Sequence, residues 1–208
     1  MDKLHRFLRL VQTTRAMPQT GYVISGIQKA ELSDLAQHHY LVTITGWYIA
    51  KLVRQKGGKV DLERVLEICL IHDLGELFGG DIAMPYAKAN PKARKLAKQF
   101  EQENQRFLAR FLTDINQVEQ LFRDTLIIGS VESTVAKVAD YIEVTEYKNY
   151  IGRLTEGDIT MVVKKMTKML SGLKNKRVRN ALSEIINDWS TAISARTENE
   201  LFEEAKKG

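Results

Sequence analysis

The sequence predicts an all-α, single-domain helical bundle, and three observations support this prediction. Apolar residues recur at helical spacing along most of the chain, and no segment shows the strict alternation of a half-buried strand. Only three prolines occur in 208 residues, which leaves long stretches free to form helix. The composition, 44% hydrophobic and 27% charged, is typical of a globular chain with one ample core.

The predicted helices follow one another with short connectors, several of which contain glycine. They span about residues 2–15, 34–55, 61–79, 91–113, 117–127, 132–150, 158–173 and 176–195. The glycine pairs at 57–58 and 79–80 are expected to end the second and third helices, because glycine adopts the backbone conformations of helix termini easily. A loop over residues 81–85 is expected to follow.

Capping residues and apolar stripes justify the individual helices. Ser33 or Asp34 can cap the second helix, Asp61 the third and Asp158 the Met-rich helix, because such side chains accept a hydrogen bond from a backbone N–H. The segment 132–150 is apolar on nearly all sides, which favours a central, buried helix.

One helical domain is the economical interpretation of this organisation. No internal repeat is visible, and no linker is long enough to separate two domains. We therefore assign residues 1–196 to one domain and 197–208 to a charged C-terminal tail.

Ionisable residues interrupt the apolar stripes of three predicted helices. His38 lies inside the stripe of the second helix, and Asp140 has apolar neighbours at spacings of four and seven. The stripe of the third helix continues onto Asp73 and Glu76, and His72 adjoins it. Burying a lone carboxylate costs several kcal/mol, roughly, unless a positive group pairs with it. A metal ion held between the three helices is the simplest shared compensation.

Each of these residues, taken alone, also has a structural interpretation. A single histidine on an apolar stripe is more often a core residue than a ligand, and Asp140 could be a hydrogen-bond acceptor. His39 points about 100° away from His38 on a helix and is interpreted as a structural residue or a neighbour of the site. It is the combination of His38, His72, Asp73 and Asp140 that favours a metal centre.

The types of ligand atom restrict which metal ion the site could bind. Two imidazoles and two carboxylates form a set that Mn, Co, Fe or Zn accepts better than Ca, and thiolates are absent. We therefore expect one divalent metal ion per chain, with Mn, Co, Fe, Zn and Mg as candidates.

Four segments, in order, resemble the HD-domain superfamily of metal-dependent phosphohydrolases. Residues 36–40 (AQHHY) and 69–76 (CLIHDLGE) resemble the first-histidine element and the HD signature, and residues 135–140 (VAKVAD) resemble the final metal-aspartate helix. Residues 80–82 (GDI) resemble the element that follows the signature in the 5'-deoxynucleotidase branch. The resemblance covers about residues 17–150.

The resemblance implies an HD-type helical bundle around a buried mononuclear site, with His38, His72, Asp73 and Asp140 as ligands. It implies release of phosphate from (deoxy)nucleoside 5'-monophosphates by attack of a metal-activated water. Glu76 falls on the position of a catalytic carboxylate. Asp81 matches one near the sugar or the leaving oxygen, although a turn-forming aspartate is an equal alternative. The family also implies a homodimer.

Two positions depart from the family pattern. Relatives place an arginine for the phosphate shortly before an aromatic residue for the ribose, and this chain has Gln19 followed by Tyr22. Tyr22 can supply the aromatic ring, and Arg15 or Lys29 could replace the arginine. The glutamate before the first histidine is Gln37, which removes a charge beside the expected metal.

Other functions stay open from the sequence. An HD-type phosphodiesterase or a nucleotide triphosphohydrolase would share the fold, but many phosphodiesterases need further histidines before the last aspartate, and none follows His72. A non-catalytic, metal-stabilised helical module that binds nucleic acid or a partner is the third interpretation.

Charge and cysteine content restrict partners and location. The net charge of +5 suits a small anionic phosphoester, while the spread of the positive residues makes a nucleic-acid partner unexpected. The single cysteine, Cys69, excludes an intrachain disulfide and fits a reducing cytoplasm. No segment has the roughly 18 uninterrupted apolar residues of a membrane-spanning helix, so no membrane partner is expected.

Overall fold

Helices account for every regular element that the computed structural model describes, over residues 2–112 and 114–193. The α-helices are α1 (Lys3–Gln12), α2 (Leu35–Gln55), α3 (Leu62–Ile71), α4 (Met84–Ala89), α5 (Pro91–Ala109), α6 (Ile115–Leu126), α7 (Val131–Tyr150), α8 (Glu156–Ser171) and α9 (Lys176–Ala192). No strand occurs in these residues, which confirms the predicted all-α class. The predicted tail, 197–208, and the domain end at 196 lie outside the described residues.

Side-chain caps set the starts of the helices that carry the site. Asp34 accepts a hydrogen bond from the backbone N–H of Gln37, and Asp61 accepts one from that of Arg64, as the sequence predicted. The cap of α8 is different from the prediction: Thr155 is its N-cap, and Asp158 bonds back to Thr155 from the third helical position. This reciprocal arrangement satisfies two free N–H groups at once.

The third helix is shorter than predicted. It ends at Ile71, and Asp73 has φ −109° and ψ 13°, outside the α-helical region. A 3₁₀ turn, Leu74–Phe78, follows it. The predicted continuous helix to residue 79 was therefore wrong, and His72 and Asp73 lie at a change of backbone direction. The predicted loop over residues 81–85 is also shorter than expected, because α4 begins at Met84.

The core lies between α2, α3, α7, α8 and α9. The fully buried side chains that fill it include Val42, Val53, Val65, Val135, Val138, Met166, Leu182 and Ile186. Helix α7 is buried on several sides, as predicted from its composition, and packs against both α2 and α3. These three helices position the charged groups described below.

A glycine allows α2 to approach its neighbours closely. A Cβ atom added at Gly46 would lie 2.7 Å from the Sγ atom of Cys69 on α3 and 3.6 Å from the Cβ atom of Ala139 on α7. Any larger residue would therefore require the Cys69 side chain or the helices to shift. Over the described residues, no helix is long and apolar enough to cross a membrane.

Candidate metal centre

His38 is anchored at the centre of the bundle. It lies one turn into α2, and its side chain has no exposure to solvent. Its Nδ1 atom lies 2.6 Å from the Oε2 atom of Glu143 on α7, and its Nε2 atom lies 3.0 Å from the Nε2 atom of His72. One ring nitrogen is thus held by a carboxylate, and the other points toward a second histidine.

His72 and Asp73 approach from the end of α3. The Nδ1 atom of His72 lies 2.8 Å from the backbone oxygen of Cys69, which fixes the ring. The Oδ2 atom of Asp73 lies 3.4 Å from the Nε2 atoms of both His38 and His72. Among the described residues, the donor atoms of His38, His72 and Asp73 form a group that could hold a metal ion, all within 4.8 Å of one another.

Asp140 borders this group from α7. Its Oδ1 atom lies 3.5 Å from the Nε2 atom of His38 and 4.0 Å from that of His72. Its Oδ2 atom lies 2.5 Å from the Nζ atom of Lys137, one turn earlier on the helix. Burial raises the pKa of Asp140, but Lys137 and His72 outweigh it and keep the pKa below its usual value. All four expected ligands therefore meet, with Asp140 shared between the group and a lysine.

The histidine pair fits a bound cation. Both Nδ1 atoms face an oxygen that can only accept, so each neutral ring carries its proton there. Both Nε2 atoms would then present lone pairs to each other across 3.0 Å. Burial lowers the pKa of His38, yet the carboxylates of Asp73 and Glu143 raise it overall, to about 10. The neighbouring carboxylates stabilise a positive charge between the two Nε2 atoms. Imidazole and carboxylate donors suit a divalent metal ion at that position.

His39 is not part of this group. It is buried, its ring packs against that of His72 at 5.1 Å between centroids, and its Nε2 atom has no partner in the described part of the chain. Burial, followed by the proximity of His72, lowers its pKa to about 3. The ring is therefore a neutral packing surface for His72, in line with the structural interpretation.

Two cavities border the centre. Both are lined by Asp73, Glu76, Asp81, Lys137 and Asp140. The first, of about 330 Å³, adds Glu101, Arg94 and Lys98 and is called the Glu101 cavity below. The second, of about 470 Å³, adds Lys88, Lys148 and Lys165 with Tyr22, Tyr141 and Val144, and is called the lysine cavity.

Glu76 lies in the 3₁₀ turn after Asp73 and faces both cavities. Burial, then the carboxylates of Asp73 and Asp81, raise its pKa to about 10. A divalent cation bound by the neighbouring carboxylates would lower the pKa of Glu76. Glu76 can thus carry a proton next to the site.

Asp81 connects two loops at the rim. Its carboxylate accepts hydrogen bonds from the backbone N–H of Gly21 and from the hydroxyl of Thr20. Burial raises its pKa, and the bond from Gly21 opposes this in part. Asp81 therefore holds the segment that carries Tyr22 while it also lines both cavities.

Tyr22 reaches the lysine cavity as a buried side chain. Its ring packs against that of Tyr147 with 5.6 Å between centroids. Its hydroxyl, like the Oε1 atom of Gln19 in the same cavity, has no partner among the described residues. Burial, then Glu143 and Asp140, raise the pKa of Tyr22, so the hydroxyl stays protonated. Two residues that line this cavity thus each bury a polar atom without a partner in the described part of the chain.

The structure does not bring Arg15 or Lys29 to the site. The Nε atom of Arg15 donates to Gln12 in the turn after α1, and neither residue lines a cavity at the centre. Gln37 is exposed and accepts a hydrogen bond from Ser33, so its neutral side chain removes no charge from the centre.

Residues that the sequence did not single out complete the site. Glu143 and Lys137 lie three residues after and before Asp140, a spacing that places all three on one face of α7. That spacing could have identified them. Glu101 on α5 and Lys165 on α8 carried no such signal, because packing between helices brings them in.

Comparisons with known proteins identify a family for this chain. A family model described as 5'-deoxynucleotidase YfbR-like matches residues 23–189. The protein 5'-deoxynucleotidase HDDC2 of Danio rerio is 31% identical over 83 residues, covering 40% of this chain and 38% of the relative. The protein of the same name in Homo sapiens is 28% identical over 142 residues, covering 67% of this chain and 64% of the relative. The chain thus aligns with less than two thirds of the length of these two relatives.

A solved structure shows the same fold. A conserved hypothetical protein from Pyrococcus furiosus superposes with a TM-score of 0.68 over 88% of this chain and 97% of the other, at 22% identity. Because the family model covers well over half of the sequence, the chain belongs to the YfbR-like 5'-deoxynucleotidase family.

Proposed function

We propose that this chain is a metal-dependent phosphohydrolase that releases phosphate from deoxynucleoside 5'-monophosphates. The observation that carries the proposal is the group formed by His38, His72 and Asp73 beside a cavity that offers both cationic and aromatic side chains. Family membership supports it, since the relatives are named 5'-deoxynucleotidases.

His38, His72, Asp73 and Asp140 would hold one divalent ion. When bound, such an ion activates a water molecule and polarises a phosphoryl oxygen. Glu143 and the backbone oxygen of Cys69 hold the two Nδ1 protons, which keeps both Nε2 atoms free and aligned. Mn, Co, Fe, Zn and Mg are the candidate ions.

Glu76 is proposed to handle the protons of the reaction. Hydrolysis adds water to phosphorus and breaks the bond to the 5'-oxygen, so one proton leaves the water and one reaches the departing oxygen. Burial, and then Asp73 and Asp81, raise the pKa of Glu76, and a cation held by Asp73 would lower it again, so this carboxyl group is proposed to take up and release a proton beside the site. Asp81 is proposed to position Tyr22 and the departing end of the substrate.

Activity assays with the purified full-length chain test this proposal. Phosphate release would be measured with a panel of deoxynucleoside and ribonucleoside monophosphates, triphosphates and cyclic nucleotides, in the presence of Mn or Co. Hydrolysis of the monophosphates alone is expected. Hydrolysis of cyclic nucleotides or triphosphates would instead support the other HD-type activities. No hydrolysis of any compound in the panel would support a non-catalytic module.

Metal analysis tests the ligands separately from activity. About one divalent ion per chain is expected in the wild type. Asp73→Ala should lose both the ion and the activity, while Asp188→Ala, an exposed carboxylate on α9, should keep both. An Asp73→Ala variant that hydrolyses substrates normally would refute the assignment.

We further propose a homodimer formed through the outer face of α2. Tyr40, Ile44, Trp47 and Tyr48 lie on that face at helical spacing and are all exposed. Contiguous exposed apolar side chains of this kind are typical of a protein interface. Light scattering should give twice the chain mass for the wild type and a monomer for Trp47→Glu. A monomeric wild type would refute the proposal.

A cytoplasmic location and a single domain over residues 1–196 are also proposed. Cys69 is buried as a free thiol, which suits a reducing compartment. Cell fractionation tests the location, and limited proteolysis tests the domain, since two separable, independently folded fragments would contradict it.

A further inference from the structure

The lysine cavity is lined by lysines and carboxylates, and over the described residues not all of its lysines are paired with a carboxylate. Four lysines line it: Lys88, Lys137, Lys148 and Lys165. Two of them are paired, Lys137 with Asp140 at 2.5 Å and Lys148 with Asp158 at 2.7 Å.

The other two lysines have no such partner. Over the described residues, no carboxylate lies within salt-bridge distance of Lys165 or Lys88. Lys165 is half-buried on α8, and its Nζ atom lies 5.3 Å from the centre of the Tyr141 ring. The Nζ atom of Lys137 lies at the same distance from that ring, and both lysines line the cavity that Asp73 and Asp140 also line.

The electrostatics of Lys165 agree with this position. Burial, then Lys88 and Lys137, lower its pKa, while Asp140 opposes them. An ammonium group that is partly desolvated among other cations is stabilised by an incoming anion. The side chain is therefore held ready for a negatively charged ligand.

We propose that Lys165, assisted by Lys88 at the rim, binds the phosphate group of the substrate in place of the arginine that Gln19 replaces. The inference rests on the proposed function, because it concerns how that same site recognises a phosphomonoester. A lysine binds phosphate as a point charge with rotatable donors, so it serves this purpose without the fixed fork of an arginine. Gln19 is neutral, so it does not supply the positive charge of that arginine.

Direct binding of inorganic phosphate provides the first test. Calorimetric titration of the purified full-length chain would compare the wild type with Lys165→Met, Lys165→Arg and Lys164→Met. The last is the matched control, an exposed lysine on the same helix outside the cavity. Lys165→Met should weaken phosphate binding about tenfold or more, Lys165→Arg should restore most of it, and Lys164→Met should match the wild type.

Steady-state kinetics and a phosphate-free ligand provide the second test. With a deoxynucleoside 5'-monophosphate, Lys165→Met should raise KM about tenfold and change kcat little, while binding of the corresponding deoxynucleoside stays unchanged. Lys88→Met should have a smaller effect in the same direction.

The outcomes separate this inference from the proposed function. Weaker phosphate binding in Lys165→Met, with no nucleotidase activity in the wild type, would support the phosphate site and refute the function. Unchanged phosphate binding and KM in an active Lys165→Met enzyme would refute the phosphate site alone. No measurable phosphate binding to the wild type would also overturn it.

Discussion

Replacing Glu143 by alanine removes the carboxylate that holds the Nδ1 proton of His38. The two groups lie 2.6 Å apart and are buried, so no water molecule easily replaces the acceptor. A hydrogen bond to a charged group contributes about 1.5–3 kcal/mol. A cation on the Nε2 atom makes the Nδ1–H a stronger donor, so the loss falls mainly on the metal-bound state.

The expected effect is a metal affinity lower by about 10- to 100-fold, since about 1.4 kcal/mol corresponds to a factor of ten. Glu143→Gln keeps an acceptor but loses the charge, and a smaller decrease is expected. The measurement is a competition titration of Mn or Co against a chelator of known affinity. Metal affinity is read directly, so the result does not depend on finding the right substrate.

Glu146→Gln is the matched control for this experiment. Glu146 lies one turn later on α7, and its Oε1 atom accepts a hydrogen bond from the Nε1 atom of Trp189 at 2.7 Å, away from the centre. That variant should bind the metal like the wild type. If Glu143→Ala also bound metal with wild-type affinity, the role of Glu143 in orienting His38 would be refuted.

Three further predictions concern stability. Gly46→Ala should lower the free energy of unfolding by about 1–3 kcal/mol, because its Cβ atom would overlap the Sγ atom of Cys69; denaturant titration measures this. Burial raises the pKa of Asp158, but the hydrogen bond from Lys148 outweighs burial and keeps this pKa below its usual value. The carboxylate therefore stabilises the fold above about pH 4, and this contribution is lost as the pH falls through the folded pKa. Asp158→Asn should therefore destabilise the chain by about 1 kcal/mol at pH 7 and by nothing in strong acid, in the same titrations. Tyr22→Phe should raise the free energy of unfolding by about 1 kcal/mol, because it removes a buried hydroxyl without a partner, and it should weaken nucleotide binding in calorimetry.

Each of these predictions has a clear contrary result. A Gly46→Ala variant as stable as the wild type would mean that α2 and α3 separate at no cost, and Cys69→Ala in the same background should otherwise relieve the overlap. A destabilisation by Asp158→Asn that persists unchanged at pH 2 would show that charge is not its cause. A less stable Tyr22→Phe would mean that the hydroxyl is satisfied by water.

The sequence was informative where local chemistry decides the structure. Asp34 and Asp61 could be predicted as helix caps because an aspartate three residues before a free N–H satisfies it without any distant contact. His38 and Asp140 could be identified because buried polar groups interrupt an apolar stripe.

Tertiary packing decided the features that the sequence could not predict. Helix α3 ends at Ile71, two residues before Asp73, whose carboxylate lies 3.4 Å from His38, a residue 35 positions earlier in the chain. Arg15 and Lys29 were plausible by sequence distance to Tyr22 alone, but the fold points them elsewhere, and Lys165 enters the cavity from α8.

The expected ligands come from α2, from the turn after α3 and from α7, so a bound ion would tie together segments that are far apart in the chain. An unfolded chain cannot offer this arrangement, and binding would therefore add directly to stability. At a free metal concentration one hundred times the Kd, the gain is about 2.7 kcal/mol. For a domain of this size, that corresponds to a rise in Tm of about 5–10 °C. Melting temperatures measured over a series of metal concentrations would then report the affinity for each metal, so candidate metals can be ranked before any substrate is known.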